Sequence, residues 1–172
     1  MGNLLRALVM GLVIGGSVFI AVGAEAQQAR MSAADVAKYK ADVTQAMANY
    51  IAAFNARNPK GIADDVFSNP AVNMGANGVT VDDTAAVEAR YKNNIGNLEK
   101  SGWQKSQTQS VSVCVMNPNV AFAVSSYTRV KTDGSPHSAG SSTYMFNKGK
   151  DGKWRIVMLI GHDSSKVLSC TD

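Results

Sequence analysis

Histidine and cysteine are scarce in this chain, with two of each among 172 residues. His137, His162, Cys114 and Cys170 stand far apart, and no group of them has the spacing of metal ligands. No metal site is therefore expected. The basic residues form no run: 17 Lys and Arg against 13 Asp and Glu leave a net charge of +4, scattered along the chain. Nucleic-acid binding calls for a concentrated basic stripe with aromatic platforms, and neither is visible. The phosphate-loop and dinucleotide fingerprints are absent too, so no cofactor is expected. Internal repeats and low-complexity segments are missing. What remains, 45% hydrophobic and 17% charged residues, is ordinary globular composition for one domain.

One long apolar run exists, and it comes first. "MGNLLRALVMGLVIGGSVFIAVGAEA" places Arg6 ahead of eighteen uncharged residues, Ala7 to Ala24, and closes on Ala24-Glu25-Ala26. This pattern predicts a secretory signal cut after Ala26 and a periplasmic or secreted protein. The rival reading is a retained anchor, because the run approaches the roughly 20 residues that span a bilayer. Its glycines and the small-x-small site favour cleavage, so membrane contact is expected only through this segment before it is removed. No cysteine lies near the cut, which argues against a lipid-modified amino terminus. The expected organisation is residues 1–26 as signal, 27–34 as a short polar leader, 35–165 as the domain and 166–172 as a tail.

Export bears on the cysteines. An oxidising compartment permits a Cys114–Cys170 disulfide, which would close a long loop and stabilise the fold by about 4 kcal/mol in the chain-entropy model. The alternative is a buried Cys114 acting as a small hydrophobe beside a free Cys170. The sequence supplies no distance to choose between them.

After the leader, Val36, Tyr39, Val43, Met47, Tyr50 and Phe54 recur at three- and four-residue steps, predicting one long amphipathic helix. Ser32 is its N-cap, with Asp35 three residues on. Asn58-Pro59 ends it and opens a short second helix, "PKGIADDVF". "NPAVNMGANGVTVDD" reads as a hairpin turning at Asn77-Gly78. Asp82 and Asp83 precede a third helix, "TAAVEARYKNNIGNLEKSG", closed by Gly102. Four strands follow: "QTQSVSVCVM", "NVAFAVSSYTRV", "HSAGSSTYMFN" and "KWRIVMLIG". Early helices and late strands predict an α+β fold, with three N-terminal helices packed in a strongly curved, mostly antiparallel six-stranded sheet. Along the last strand, strict alternation puts Trp154, Ile156, Met158 and Ile160 on one face and Val157 and Leu159 on the other. Both faces are apolar, so the first set is expected to form a homodimer surface.

"NYIAAFNARNPKGI" resembles the first helix and turn of the nuclear-transport-factor-2-like superfamily, and "DGKWRIVMLI" resembles its terminal strand. This resemblance spans nearly all of the mature chain and implies a cone-shaped α+β barrel of the SnoaL-like and ketosteroid-isomerase-like kind. The fold hosts isomerases, dehydratases, cyclases and binding modules, so it implies architecture more than activity. Ketosteroid isomerases use an aspartate base with a tyrosine and a protonated acid. Aligned residue by residue, the resemblance places the tyrosine at Tyr50, the base at Gly75 and the acid at Ser142. A glycine cannot abstract a proton, so that mechanism is not expected. Relatives that carry a histidine after "WRIV" have Met158 at the corresponding position here.

The paired acids Asp64-Asp65 and Asp82-Asp83 are adjacent rather than opposed across a substrate. His162 and Asp163 should point to opposite sides of a strand end and form no dyad. No catalytic residue is therefore expected. The reading is an exported domain that binds a small hydrophobic ligand or is simply structural. Its pocket is expected to be lined by Tyr50, Ser142, Tyr144, Val157 and Leu159 and to be free of ionisable groups. The alternative is a SnoaL-like lyase or isomerase acting on a small hydrophobic substrate, with Tyr50 working beside His137 or an aspartate.

Overall fold

A computed structural model describes residues 30–166; the expected signal segment, the start of the leader and Cys170 lie outside the described residues. The Ser32 hydroxyl accepts the Asp35 amide at 3.1 Å and donates to Asp35 Oδ2 at 2.7 Å. This cap satisfies an amide that the helix itself cannot. Helix α1 then runs Ala33–Asn55, so it begins two residues ahead of the expected domain boundary. Val43, Met47, Tyr50 and Phe54 form its buried stripe. Asn58 Oδ1 accepts the Gly61 amide at 2.8 Å and starts α2, Pro59–Gly61, which widens into a π-type turn over Ile62–Val66.

The hairpin follows as β1, Phe67–Gly75, and β2, Gly78–Asp82. Its turn is Ala76–Asn77, and only Gly78 takes a positive φ, of 104°. Asn77 does not share that conformation, contrary to the expected Asn77-Gly78 turn. Asp83 Oδ1 accepts the Ala86 amide at 2.8 Å and caps α3, Thr84–Lys100. The hairpin thus separates α3 from the first two helices, so the three helices are not gathered ahead of the sheet.

Strands β3 (Trp103–Asn117), β4 (Val120–Lys131), β5 (Pro136–Lys148) and β6 (Trp154–His162) complete one six-stranded sheet in the order β2-β1-β6-β5-β4-β3. β1 and β6 run parallel; the other pairs are antiparallel. β2 and β3 remain edges, so the sheet is open rather than a closed barrel. On its inward side, Ala121, Ala123, Tyr144, Phe146 and Ile156 join the buried residues of α1 and α3 in one core. Among the described residues, no helix is long and apolar enough to cross a membrane.

The last strand does not alternate as expected. Phe146 pairs with Ile156, yet the adjacent Met145 pairs with Met158. Val157 is thus an extra residue, a β-bulge that shifts the alternation by one. Trp154 and Ile156 are 7% and 0% exposed and belong to the core of a single chain, with the Trp154 ring 6.0 Å from that of Tyr39. They cannot belong to an outward dimer face together with Met158 and Ile160. Beyond the bulge, Leu159 opposite Tyr144 and Gly161 opposite Ser142 lie on the inward side.

Candidate ligand cavity

A cavity of about 300 Å³ lies between α1, α3 and the inward side of the sheet, near the lower end of the roughly 300–1,000 Å³ range of small-molecule sites. α1 contributes Tyr50 and Phe54, one turn apart on its buried stripe, and the half-buried Ile51 beside them. α3 contributes Arg90, Tyr91 and Asn94. Asn73, Ser106, Tyr127, Arg129, Ser142, Tyr144, Leu159 and Gly161 come from five strands.

Of the expected lining residues, Tyr50, Ser142, Tyr144 and Leu159 meet here. Val157 does not border the cavity, because it is the bulged residue. Gly75, the position aligned with a base, does not border it either. Sequence reasoning missed the residues that give the cavity its charge: Arg90 and Arg129 both line it. The expectation of a hollow without ionisable groups is therefore corrected. Among the described residues, no carboxylate, imidazole, thiol or ammonium group lines it.

The centre is aromatic. Tyr50 Oη and Tyr91 Oη are 2.9 Å apart, and either can donate. The Tyr50 ring stands edge-on to Phe54, Phe67, Tyr91 and Tyr144, with centroids 5.9–6.2 Å away, the favoured geometry for ring quadrupoles. Burial pushes the Tyr50, Tyr91 and Tyr144 phenols well above their ordinary range. They remain protonated donors at neutral pH and are poor bases. Gly140 faces Tyr127 across the β4–β5 pair. A Cβ there would lie 2.6 Å from the Tyr127 hydroxyl, so glycine makes the room in which that ring lies.

Asp82, expected at the α3 N-terminus, instead accepts Arg90 Nε at 2.8 Å on its Oδ2. The Arg90 guanidinium also lies 5.0 Å from the Tyr91 ring centre and 5.5 Å from that of Phe67. Arg129 rests on Tyr127, 4.6 Å from the ring centre. Arg90 Nη2, Arg129 Nε and Ser106 Oγ are buried without a hydrogen-bond partner.

The histidines are elsewhere. His137 Nε2 is 2.7 Å from Ser101 Oγ and His162 Nε2 is 3.0 Å from Thr143 Oγ1; neither residue lines the cavity. Asp163 bonds the Ser165 amide, and His162 meets the Asp163 backbone carbonyl rather than its carboxylate. Cys114, half-buried on β3, is disulfide-bonded; of the expected pair, Cys170 lies outside the described residues. Among the described residues no cluster of His, Cys, Asp and Glu suits a metal ion.

No curated protein is similar in sequence at a significant level. Solved structures share the fold. A nuclear transport factor 2-like protein from Salmonella enterica serovar Typhimurium superposes with a TM-score of 0.59 at 17% identity, over 76% of this chain and 94% of its own. An NTF2-like protein with a cystatin-like fold from Novosphingobium aromaticivorans gives 0.61 at 14% identity, over 74% and 82%. A protein from the same organism named as a candidate scytalone dehydratase gives 0.59 at 12% identity, over 77% and 87%. Identities this low carry the fold alone. Residues 39–164 match the model of the family described as NTF2-like protein (DUF6841), and the chain belongs to that family.

Proposed function

We propose that this protein is an exported binding domain whose cavity holds a small, largely hydrophobic organic ligand without transforming it. The observation that carries this reading is the lining itself. Aromatic rings and protonated phenols surround about 300 Å³, and no carboxylate or imidazole among the described residues stands there to act as a general base at neutral pH. General acid–base chemistry needs a titratable group within reach of the substrate proton. Export is supported by the apolar leader with its Ala24-Glu25-Ala26 site, and a disulfide at Cys114 suits an oxidising compartment. We assign Cys170 as its partner.

A second copy of the chain is the proposed cover for the outward side of the sheet. Met145, Met158 and Ile160 lie there opposite one another or diagonally, continuing into Val72 and Met74 of β1. Val79 and Val81 extend the apolar surface at 60% and 70% exposure. The test is native mass spectrometry of protein recovered from the periplasm. It should report a processed chain beginning at residue 27, a dimer mass, one disulfide and a bound small molecule. An empty cavity that also fails to bind any apolar probe would overturn the binding reading.

The enzymatic alternative draws on the named scytalone dehydratase relative. Pairing Tyr50 with His137 has no geometric support, since His137 is held by Ser101 and Ser138 away from the cavity.

A further inference from the structure

We infer that the ligand is an organic monoanion, an aromatic or alkyl carboxylate whose acid group is met by Arg129 and Arg90; this rests on the binding reading above. The charge balance points to it. Arg90 and Arg129 are the ionisable residues with a permanent charge on the lining, and both are cationic. Asp82 offsets Arg90 through its Nε. No carboxylate lies within ion-pairing distance of Arg129 among the described residues, and its neighbours are the rings of Tyr127 and Phe54. One positive charge is left uncompensated in a half-buried, aromatic-walled hollow.

Such a charge is costly to desolvate without a counter-charge. The described residues around it supply none, and the local dielectric strengthens the field it projects into the cavity. Unused donors add to it: Arg90 Nη2 and Arg129 Nε are buried and unpartnered. Arginine's planar fork matches a carboxylate in geometry as well as charge. The buried phenols remain protonated, so they offer donors to an anion rather than repelling it. A single uncompensated charge favours a carboxylate over a dianionic phosphate. The ring-lined remainder, with Phe54, Tyr144 and Leu159, suits an aromatic or alkyl body.

The test uses calorimetric titration of the full processed chain with four probes: benzoate, 2-naphthoate and their neutral amides. At neutral pH each carboxylate should bind about tenfold or more tightly than its amide, and added salt should narrow that gap. R129Q should collapse the ratio toward one, while R129K should retain part of it. If R129Q does not fold, the wild-type affinity for naphthoate across pH 3–6 replaces it, and must fall as the ligand's own carboxyl is protonated. Amides binding as tightly as carboxylates would overturn the monoanion inference and leave the binding reading standing. No binding by either member of both pairs at millimolar concentration would overturn the monoanion inference, and an empty cavity in the recovered protein as well would overturn the binding reading.

Discussion

Replacing Tyr50 by phenylalanine removes one oxygen and leaves the ring packed against Phe54, Phe67, Tyr91 and Tyr144. The lost contact is the 2.9 Å bond to Tyr91 Oη, between residues 7% and 2% exposed. A neutral buried hydrogen bond contributes about 0.5–1.5 kcal/mol net, and a buried hydroxyl left without its partner costs about 1–3 kcal/mol. Y50F and Y91F should each destabilise by about 1–2 kcal/mol. Removing both hydroxyls leaves neither one orphaned, so the double variant should cost little more than either single one. The coupling energy should therefore be about 1 kcal/mol or larger. Urea unfolding of the four proteins gives the cycle, and thermal melts should move by about 2–4 °C per kcal/mol for a chain of this size. Additive effects, within about 0.3–0.5 kcal/mol, would refute the claim that the two phenols satisfy each other.

The bulge assigns unequal costs along β6. I156A, at a fully buried position, should cost about 2–5 kcal/mol, whereas I160K should leave the monomer folded and lower the dimer fraction in sedimentation runs. Because the Tyr50, Tyr91 and Tyr144 phenols are raised in the folded state, stability should be full below about pH 10. It should fall as pH rises beyond that point, because the unfolded chain ionises first; alkaline melts read this directly. Asp151 accepts two bonds from Arg155, at 3.1 and 2.7 Å, and its carboxyl is pulled down to about 2. Carbon-detected NMR should find it titrating there, and R155Q should raise it, with the Lys153 amide still holding it below the ordinary range; the pair's contribution persists above about pH 4 and is lost as pH falls toward 2. G140A should weaken ligand binding by displacing the Tyr127 ring on which Arg129 rests, as titration of 2-naphthoate would show.

The helices and the sheet were legible because their signals are periodic and local. Ser32, Asn58 and Asp83 each cap a helix through a side-chain oxygen. The buried stripe of α1 follows the 3.6-residue spacing read from the chain. The cavity was only half legible. Tyr50, Ser142, Tyr144 and Leu159 came from the resemblance and from alternation, but the arginines were counted only toward a scattered net charge. A stricter use of the same periods finds them. Ala121, Ala123, Ser125, Tyr127 and Arg129 are alternate residues of one strand, and Arg129 shares their side. On α3, Arg90 and Asn94 sit beside Val87, Tyr91, Ile95 and Leu98 at three- and four-residue steps. The misplacement of Trp154 and Ile156 has another origin. A bulge is defined by the partner strand, so nothing within "KWRIVMLIG" announces it.

The spare residue at Val157 gives β6 a place where length can change without consequence for direction. Were the chain shortened there, Ile156 would still meet Phe146 and Leu159 would still meet Tyr144. A residue lost two places later would turn Ile160 into the hollow and the residues after it the wrong way round. The wall of the cavity is thus protected against one kind of length error at a single joint, just where the sheet passes from supporting the core to shaping the space for a guest.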